Sequence, residues 1–197
     1  MAGLAPRLAT YEDLLGLEQD VHAEVIAGQI IVAPSPLPRH SRAQRALGRF
    51  VGGPFDDDDG RGGPGGWWIF VEVDVRLGAH DIVRPDLAGW HRERLPQPGS
   101  LRPIEIAPDW VCEILSPQGV ARDRVTKREL YARHGIAHYW IVDPDARTLE
   151  ALQVSDGRWV EVGAWDETAI VRVAPFSEIE LEVGRLFLPP EAETPGA

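Results

Sequence analysis

The run DWVCEILS, residues 109–116, would present apolar side chains on both faces of a β-strand. Trp110, Cys112 and Ile114 share one face, and Val111, Glu113 and Leu115 share the other. A strand apolar on both faces belongs in the middle of a sheet, buried above and below. Glu113 is the one exception within it, so its carboxylate is enclosed. An enclosed carboxylate without partners costs several kcal/mol, and it therefore calls for a cation or hydrogen-bond donors.

The rest of the chain supplies strands and a few helices for that sheet. Thr10 followed three residues later by Asp13 reads as a capping box opening a short helix through Leu17. AEVIAGQIIVAP reads as two strands joined tightly at Ala27-Gly28. After Pro38, a helix from His40 to Phe50 would place Ala43, Leu47 and Phe50 on one face. WWIFVEVDVRL alternates as one strand, with Val71, Val73, Val75 and Leu77 pointing one way and Glu72, Asp74 and Arg76 the other. DIVRPDLAGW is a further strand, and a helix spans Ala121 to His134 before Gly135 stops it. HYWIVD is a strand, TLEALQVS-DG-RWVEVG is a hairpin, and short strands near Ile170–Val173 and Leu186 close the chain. This order predicts a mixed sheet with few helices, of the α/β or α+β type. Residues 52–66, rich in Gly, Pro and Asp, read as a flexible loop, and residues 189–197 as a flexible tail. The four aspartates of that loop lack the later glutamate that an EF-hand needs.

Composition narrows the classes. A chain of 197 residues reads as one domain, residues 1–197, with no internal repeat. Its net charge of −11 argues against a non-specific nucleic-acid coat or a binder of anionic membranes. A single cysteine, Cys112, leaves no disulfide framework or cysteine-rich zinc site, and neither a secretory leader nor a membrane span is readable. The expected compartment is the cytoplasm. No GxGxxG, P-loop, GxSxG or HExxH occurs.

Two further features stand beside Glu113. Asp86 follows Pro85 inside IVRPDLAGW, where the proline implies an edge, bulge or bend. Acidic side chains on neighbouring strands can converge on one hard divalent cation, although a buried ion pair, or a turn for Asp86, would use the same residues. After Glu113 comes a locally basic helix, with Arg122, Arg124, Lys127, Arg128 and Arg133 against Asp123 and Glu129. Lys127 and Tyr131 lie four apart on one face. Lys127 could orient a water and balance phosphate charge, or simply pair with Asp123 four residues earlier. A second basic stripe, Arg39, Arg42, Arg45 and Arg49, is either a solvated helix face or a phosphate track.

With these pieces in place, the sequence resembles the Uma-two putative restriction endonuclease family of the PD-(D/E)XK nuclease superfamily. The matching segments are AEVIAGQIIVAPSP with His40, then RPDLAGW, WVCEILSP, RD-RVTK-RELYARHG and HYWIVDP, in that order from Thr10 to Pro144. The resemblance implies a restriction-endonuclease-like core, a mixed sheet flanked by helices, and cleavage of nucleic acid, DNA above all, with Mg²⁺ or Mn²⁺. Carried over by position, Asp86 and Glu113 are the motif acids and Glu24 is the additional acid. Leu115 stands where a lysine would follow the second acid, and Lys127 on the next helix takes that place. Ala23 and Ala27 depart from the tyrosine and acidic residue common in the family's hairpin.

On this resemblance Asp86, Glu113, Glu24 and the Ile114 carbonyl would hold the metal, with Asp86, Glu113, Glu24 and Lys127 as the catalytic set. Arg42, Arg45, Arg124, Tyr131 and His40 are the expected substrate-binding residues. A homodimer is expected, since cutting two strands takes two sites. The alternative is a catalytically silent nucleic-acid or partner-binding module that keeps the fold.

Overall fold

Local sequence rules account for the first elements of the chain, whose computed structural model describes residues 7–18, 21–57 and 63–189. Helix α1 (Tyr11–Leu15) starts at Thr10, whose backbone N–H donates to the Asp13 carboxylate at 2.8 Å. Strands β1 (Ala23–Ile26) and β2 (Gln29–Val32) form a hairpin over Ala27 and Gly28, both in the left-handed region. Helix α2 (Pro38–Leu47) continues through a π-helical turn at Gly48–Gly52 into α3 (Gly53–Asp56). The stretch 52–66, expected as loop, thus begins with helical residues, and Phe55 packs against Phe176 at a ring distance of 4.7 Å. Residues 58–62 of that stretch and residues 190–197 of the expected tail lie outside the described residues.

The following strands are β3 (Trp67–Val71), β4 (Val75–Gly78), β5 (Asp81–Val83), β6 (Leu87–His91) and β7 (Trp110–Ile114). A second π-helical turn, Arg122–Lys127, runs into α4 (Arg128–Arg133), and Gly135 ends the helix at φ 71°. Strands β8 (His138–Asp143), β9 (Thr148–Ser155), β10 (Arg158–Asp166), β11 (Ile170–Val171) and β12 (Leu181–Glu182) complete the chain. Leu186, expected in a strand, sits in a short 3₁₀ turn at Val183–Leu186.

These elements make a mixed α+β fold. Six strands in the order β10-β9-β8-β7-β6-β3 form the main sheet, antiparallel except where β7 and β8 run parallel. A second sheet has the order β2-β1-β5-β4, and β11 pairs with β12. One face of the main sheet packs Trp110, Cys112, Ile114 and Trp140 against α2, α3 and the C-terminal segment. The other face packs Val111, Leu115, Tyr139 and Ile141 against α4 and residues of the second sheet, such as Ile26 and Val83. The strand β7 is buried at every position, as its two apolar faces require. Among the described residues no helix is long and apolar enough to cross a membrane.

One expectation needs correction. WWIFVEVDVRL is not a single strand but two, β3 and β4, which belong to different sheets. The break falls at Glu72, which adopts φ 52°, a left-handed conformation that interrupts the pleat. The facing segment breaks in step: β5 and β6 are separated by Arg84, Pro85 and Asp86. Residues 67–91 therefore form one bent hairpin whose inner half pairs β3 with β6 and whose outer half pairs β4 with β5. Asp74, placed with Glu72 and Arg76 on the polar side of that alternation, is buried; it accepts from Tyr11 Oη at 3.0 Å and from Arg84 Nε at 2.8 Å.

Candidate active site

The bend in that hairpin, β1, β7 and the helix after β7 open onto one cleft. Glu24, His40, Asp86, Glu113, Ile114 and Lys127 all line it, together with Arg39, Arg84, Arg122 and Asp123. Glu24 comes from β1, and its Oε1 accepts the Arg84 backbone N–H at 2.7 Å. Asp86 stands just past Pro85, where no regular ladder holds the chain. Its Oδ2 accepts the Ile114 N–H at 2.6 Å, and His40 Nε2 lies 3.1 Å from its Oδ1. Asp86 is thereby tied to the strand that carries Glu113. Helix α2 braces the same bend, because Gln44, one turn after His40, donates to Glu72 Oε1 at 2.9 Å and to the Asp86 carbonyl at 3.3 Å.

Glu113, Lys127 and Tyr131 form the buried floor. Lys127 Nζ stands 2.8 Å from Glu24 Oε1 and 2.8 Å from Glu113 Oε1. Asp123, the intrahelical partner that the sequence offered, is farther, at 3.8 Å. The Tyr131 hydroxyl donates to that same Glu113 Oε1 in a short hydrogen bond. Lysine and tyrosine, four apart, thus meet on one oxygen, a convergence set by the π-helical turn running into α4.

Burial and charge decide the ionisation of this floor. Burial pushes the Glu113 carboxyl up to about 8; Lys127 opposes the rise, while Asp123, Asp86 and Glu24 add to it. Burial also works against the Lys127 ammonium, but Glu113, Glu24 and Asp123 outweigh it and raise its pKa. Burial first, and then the charges of Glu113 and Glu24, raise the Tyr131 phenol well above its ordinary value, so it stays a donor. For His40 burial disfavours the cation, yet the Asp86 hydrogen bond and charge prevail and raise its pKa.

Glu24, Asp86, Glu113 and Asp123 gather on one cleft wall, with Lys127 and Arg122 among them. Their donors are all oxygen, which suits a hard divalent cation in both charge and chemistry. As they stand, no three His, Cys, Asp or Glu side chains among the described residues are drawn together at ligand spacing. Lys127 occupies the space between Glu24 and Glu113.

The expected substrate-binding residues divide. His40 is at the cleft, and Tyr131 lies beneath it, wholly buried on Glu113. Arg42 donates to the carbonyls of Arg185 at 3.0 Å and Phe187 at 3.3 Å, joining α2 to the C-terminal segment. Arg45 is exposed on α2 and does not line the cleft. Arg124 pairs with Glu150 at 2.7 Å and Asp143 at 3.7 Å, likewise off the cleft. Sequence reasoning passed over Arg84 and Gln44, and met Arg122 only as one charge of the basic helix. Gln44 carried one usable signal, its position four residues after His40 on the same helix.

A mixed sheet whose acidic side chains gather with a lysine from the following helix defines a nuclease-like fold. The chain belongs to the Uma2 family, described as putative restriction endonuclease, whose family pattern matches residues 8–184. It is similar to the crystal structure of a putative nuclease belonging to DUF820 from Anabaena variabilis, with a TM-score of 0.67 and 29% identity. That likeness spans 90% of this chain and 97% of the other. No curated protein matches the chain.

Proposed function

We propose that this protein is a Mg²⁺-dependent endonuclease that hydrolyses phosphodiester bonds of DNA, with Mn²⁺ able to replace Mg²⁺. The observation that carries the reading is the gathering of Glu24, Asp86, Glu113 and Asp123 at one cleft beside Lys127, with burial raising the Glu113 carboxyl. Such a cluster is stabilised by adding a dication, and family membership supplies the reaction class. The working compartment proposed is the cytoplasm, and the working unit a homodimer with one site for each strand.

In this reading Asp86, Glu113, Glu24 and the Ile114 carbonyl hold the ion. A divalent ion held there would polarise the scissile phosphate and lower the pKa of a water. Tyr131 and Lys127 both engage Glu113 Oε1, which leaves Oε2 for the cleft. The Ile114 N–H and His40 orient Asp86, one on each oxygen. Lys127 balances Glu24 and Glu113 and stands close enough to the cleft to orient an attacking water.

The direct test incubates the protein with supercoiled plasmid and with single-stranded DNA in Mg²⁺, in Mn²⁺ and in EDTA. Nicked or linear product with either ion, absent in EDTA and absent for Asp86→Ala, is expected. Binding of DNA without cleavage in any of these conditions would instead identify a silent binding module.

A further inference from the structure

The cations of the cleft are not equally committed. Arg39 pairs with Asp145 at 2.7 Å, Arg84 with Asp74 at 2.7 Å, and Lys127 is buried between Glu24 and Glu113. Arg122 is different. Its Nε donates to Asp123 Oδ1 at 3.3 Å and lies 4.0 Å from Glu24 Oε2. Its two terminal nitrogens form no hydrogen bond among the described residues, and about a fifth of the side chain (21%) is exposed.

Where those nitrogens point is marked by Gly119. A Cβ placed on this residue would meet Ser116 Oγ at 2.9 Å, Arg122 Nη2 at 3.0 Å and Asp123 Oδ2 at 3.0 Å. The ends of Ser116, Arg122 and Asp123 therefore pack over the Gly119 backbone more closely than any Cβ would allow. Ser116 Oγ has no hydrogen-bond partner among the described residues, and both Ser116 and Arg122 line the cleft that holds the acidic cluster. A guanidinium with free terminal N–H groups beside a free hydroxyl matches the oxygens of a phosphodiester. Asp123 opposes an anion here, and it also fixes the guanidinium through Nε.

We infer that Ser116, Gly119 and Arg122 form a subsite for a backbone phosphate of the nucleic acid next to the bond that is cut, an inference that rests on the nuclease reading. The stripe on α2 is not this subsite, since Arg42 is spent on backbone carbonyls and Arg45 lies off the cleft.

Gly119→Ala tests this without altering any charge. Its methyl group would push the Arg122, Asp123 and Ser116 ends apart, and its backbone conformation is one that alanine adopts freely. Loss of a hydrogen bond to a charged partner is expected to raise KM for duplex DNA by about 10- to 100-fold. The value of kcat should stay within about twofold, and the slope of log K against log salt should become shallower by about 0.9. Arg122→Gln should act in the same direction, and Arg122→Lys, which keeps charge but not the fork, should fall between. Mg²⁺ affinity measured by calorimetry without DNA should be unchanged in Gly119→Ala. If the wild type cuts DNA while Gly119→Ala and Arg122→Lys keep its KM and salt slope, the subsite is overturned and the nuclease reading stands. If the wild type neither binds nor cuts nucleic acid, the nuclease reading falls and takes the subsite with it.

Discussion

Lys127 and Glu113, one on a helix and one on the strand before it, meet at 2.8 Å through a single carboxylate oxygen that Tyr131 also holds. The lysine is 2% exposed, so its charge is the counter-ion of a closed space rather than of a surface. Removing one partner of a buried pair costs about 3–5 kcal/mol, because the others are left uncompensated. Lys127→Ala is therefore expected to lower unfolding free energy by that amount in a urea titration, as well as to abolish cleavage. A variant as stable as the wild type would mean that Glu24 and Glu113 do not depend on the lysine.

The raised pKa of Glu113 predicts a pH dependence of stability. In the unfolded chain this carboxyl loses its proton near 4.5, whereas in the folded protein it retains it up to about 8. Between those values the native state binds more protons, so stability falls as pH rises and levels off above about 8. Lys127 contributes nothing to the slope in this window, since its folded pKa is also raised and its cation persists throughout. Comparing the wild type with Glu113→Gln across pH 4 to 9 isolates the effect, and parallel curves would contradict it.

The same protonation should appear when the ion binds. A divalent cation taken up at pH 7 is expected to displace the Glu113 proton into the buffer, and at pH 9 to displace none. Mg²⁺ calorimetry in buffers of different ionisation enthalpy reads this proton count directly.

Tyr131 is expected to act on the ion from one layer away. Partners that orient ligands typically account for about 10- to 100-fold in metal affinity or activity. Tyr131→Phe should weaken Mg²⁺ by a factor in that range while leaving KM for DNA unaltered, because the hydroxyl is wholly buried on Glu113. A change in KM alone would return Tyr131 to the substrate.

Arg42 should behave as a structural residue. Its two carbonyl acceptors, on Arg185 and Phe187, tie α2 to the end of the fold. Arg42→Gln is expected to cost about 1–3 kcal/mol of stability. The salt dependence of DNA binding should not move, which a titration at several salt concentrations would show.

Much of this was readable in the residues. DWVCEILS declared itself a central strand through two apolar faces, and Asp13, Ala27-Gly28 and Gly135 marked local boundaries by rules that act within a few residues. Pro85 correctly announced a bend beside Asp86. The hidden features were those that depend on long-range partners. Glu72 takes a left-handed φ while Gln44 of α2 holds its carboxylate, so the alternation of WWIFVEVDVRL gave no warning of a break. The burial of Asp74 depends on Arg84 across the hairpin and Tyr11 from α1. Spacing made Asp123 the natural partner of Lys127, yet two strands distant in sequence bring nearer carboxylates.

The bent hairpin from Trp67 to His91 ties the candidate site to chain length. Asp86 is placed by two pairings at once, Val71 with Leu87 below the bend and Val75 with Val83 above it. One added or deleted residue between those pairs would displace Asp86 from the Ile114 N–H on the strand that carries Glu113, while leaving the composition nearly untouched. The hairpin should therefore accept many exchanges of side chain but scarcely any change in residue count, so a single-codon deletion there would be far more damaging than most substitutions.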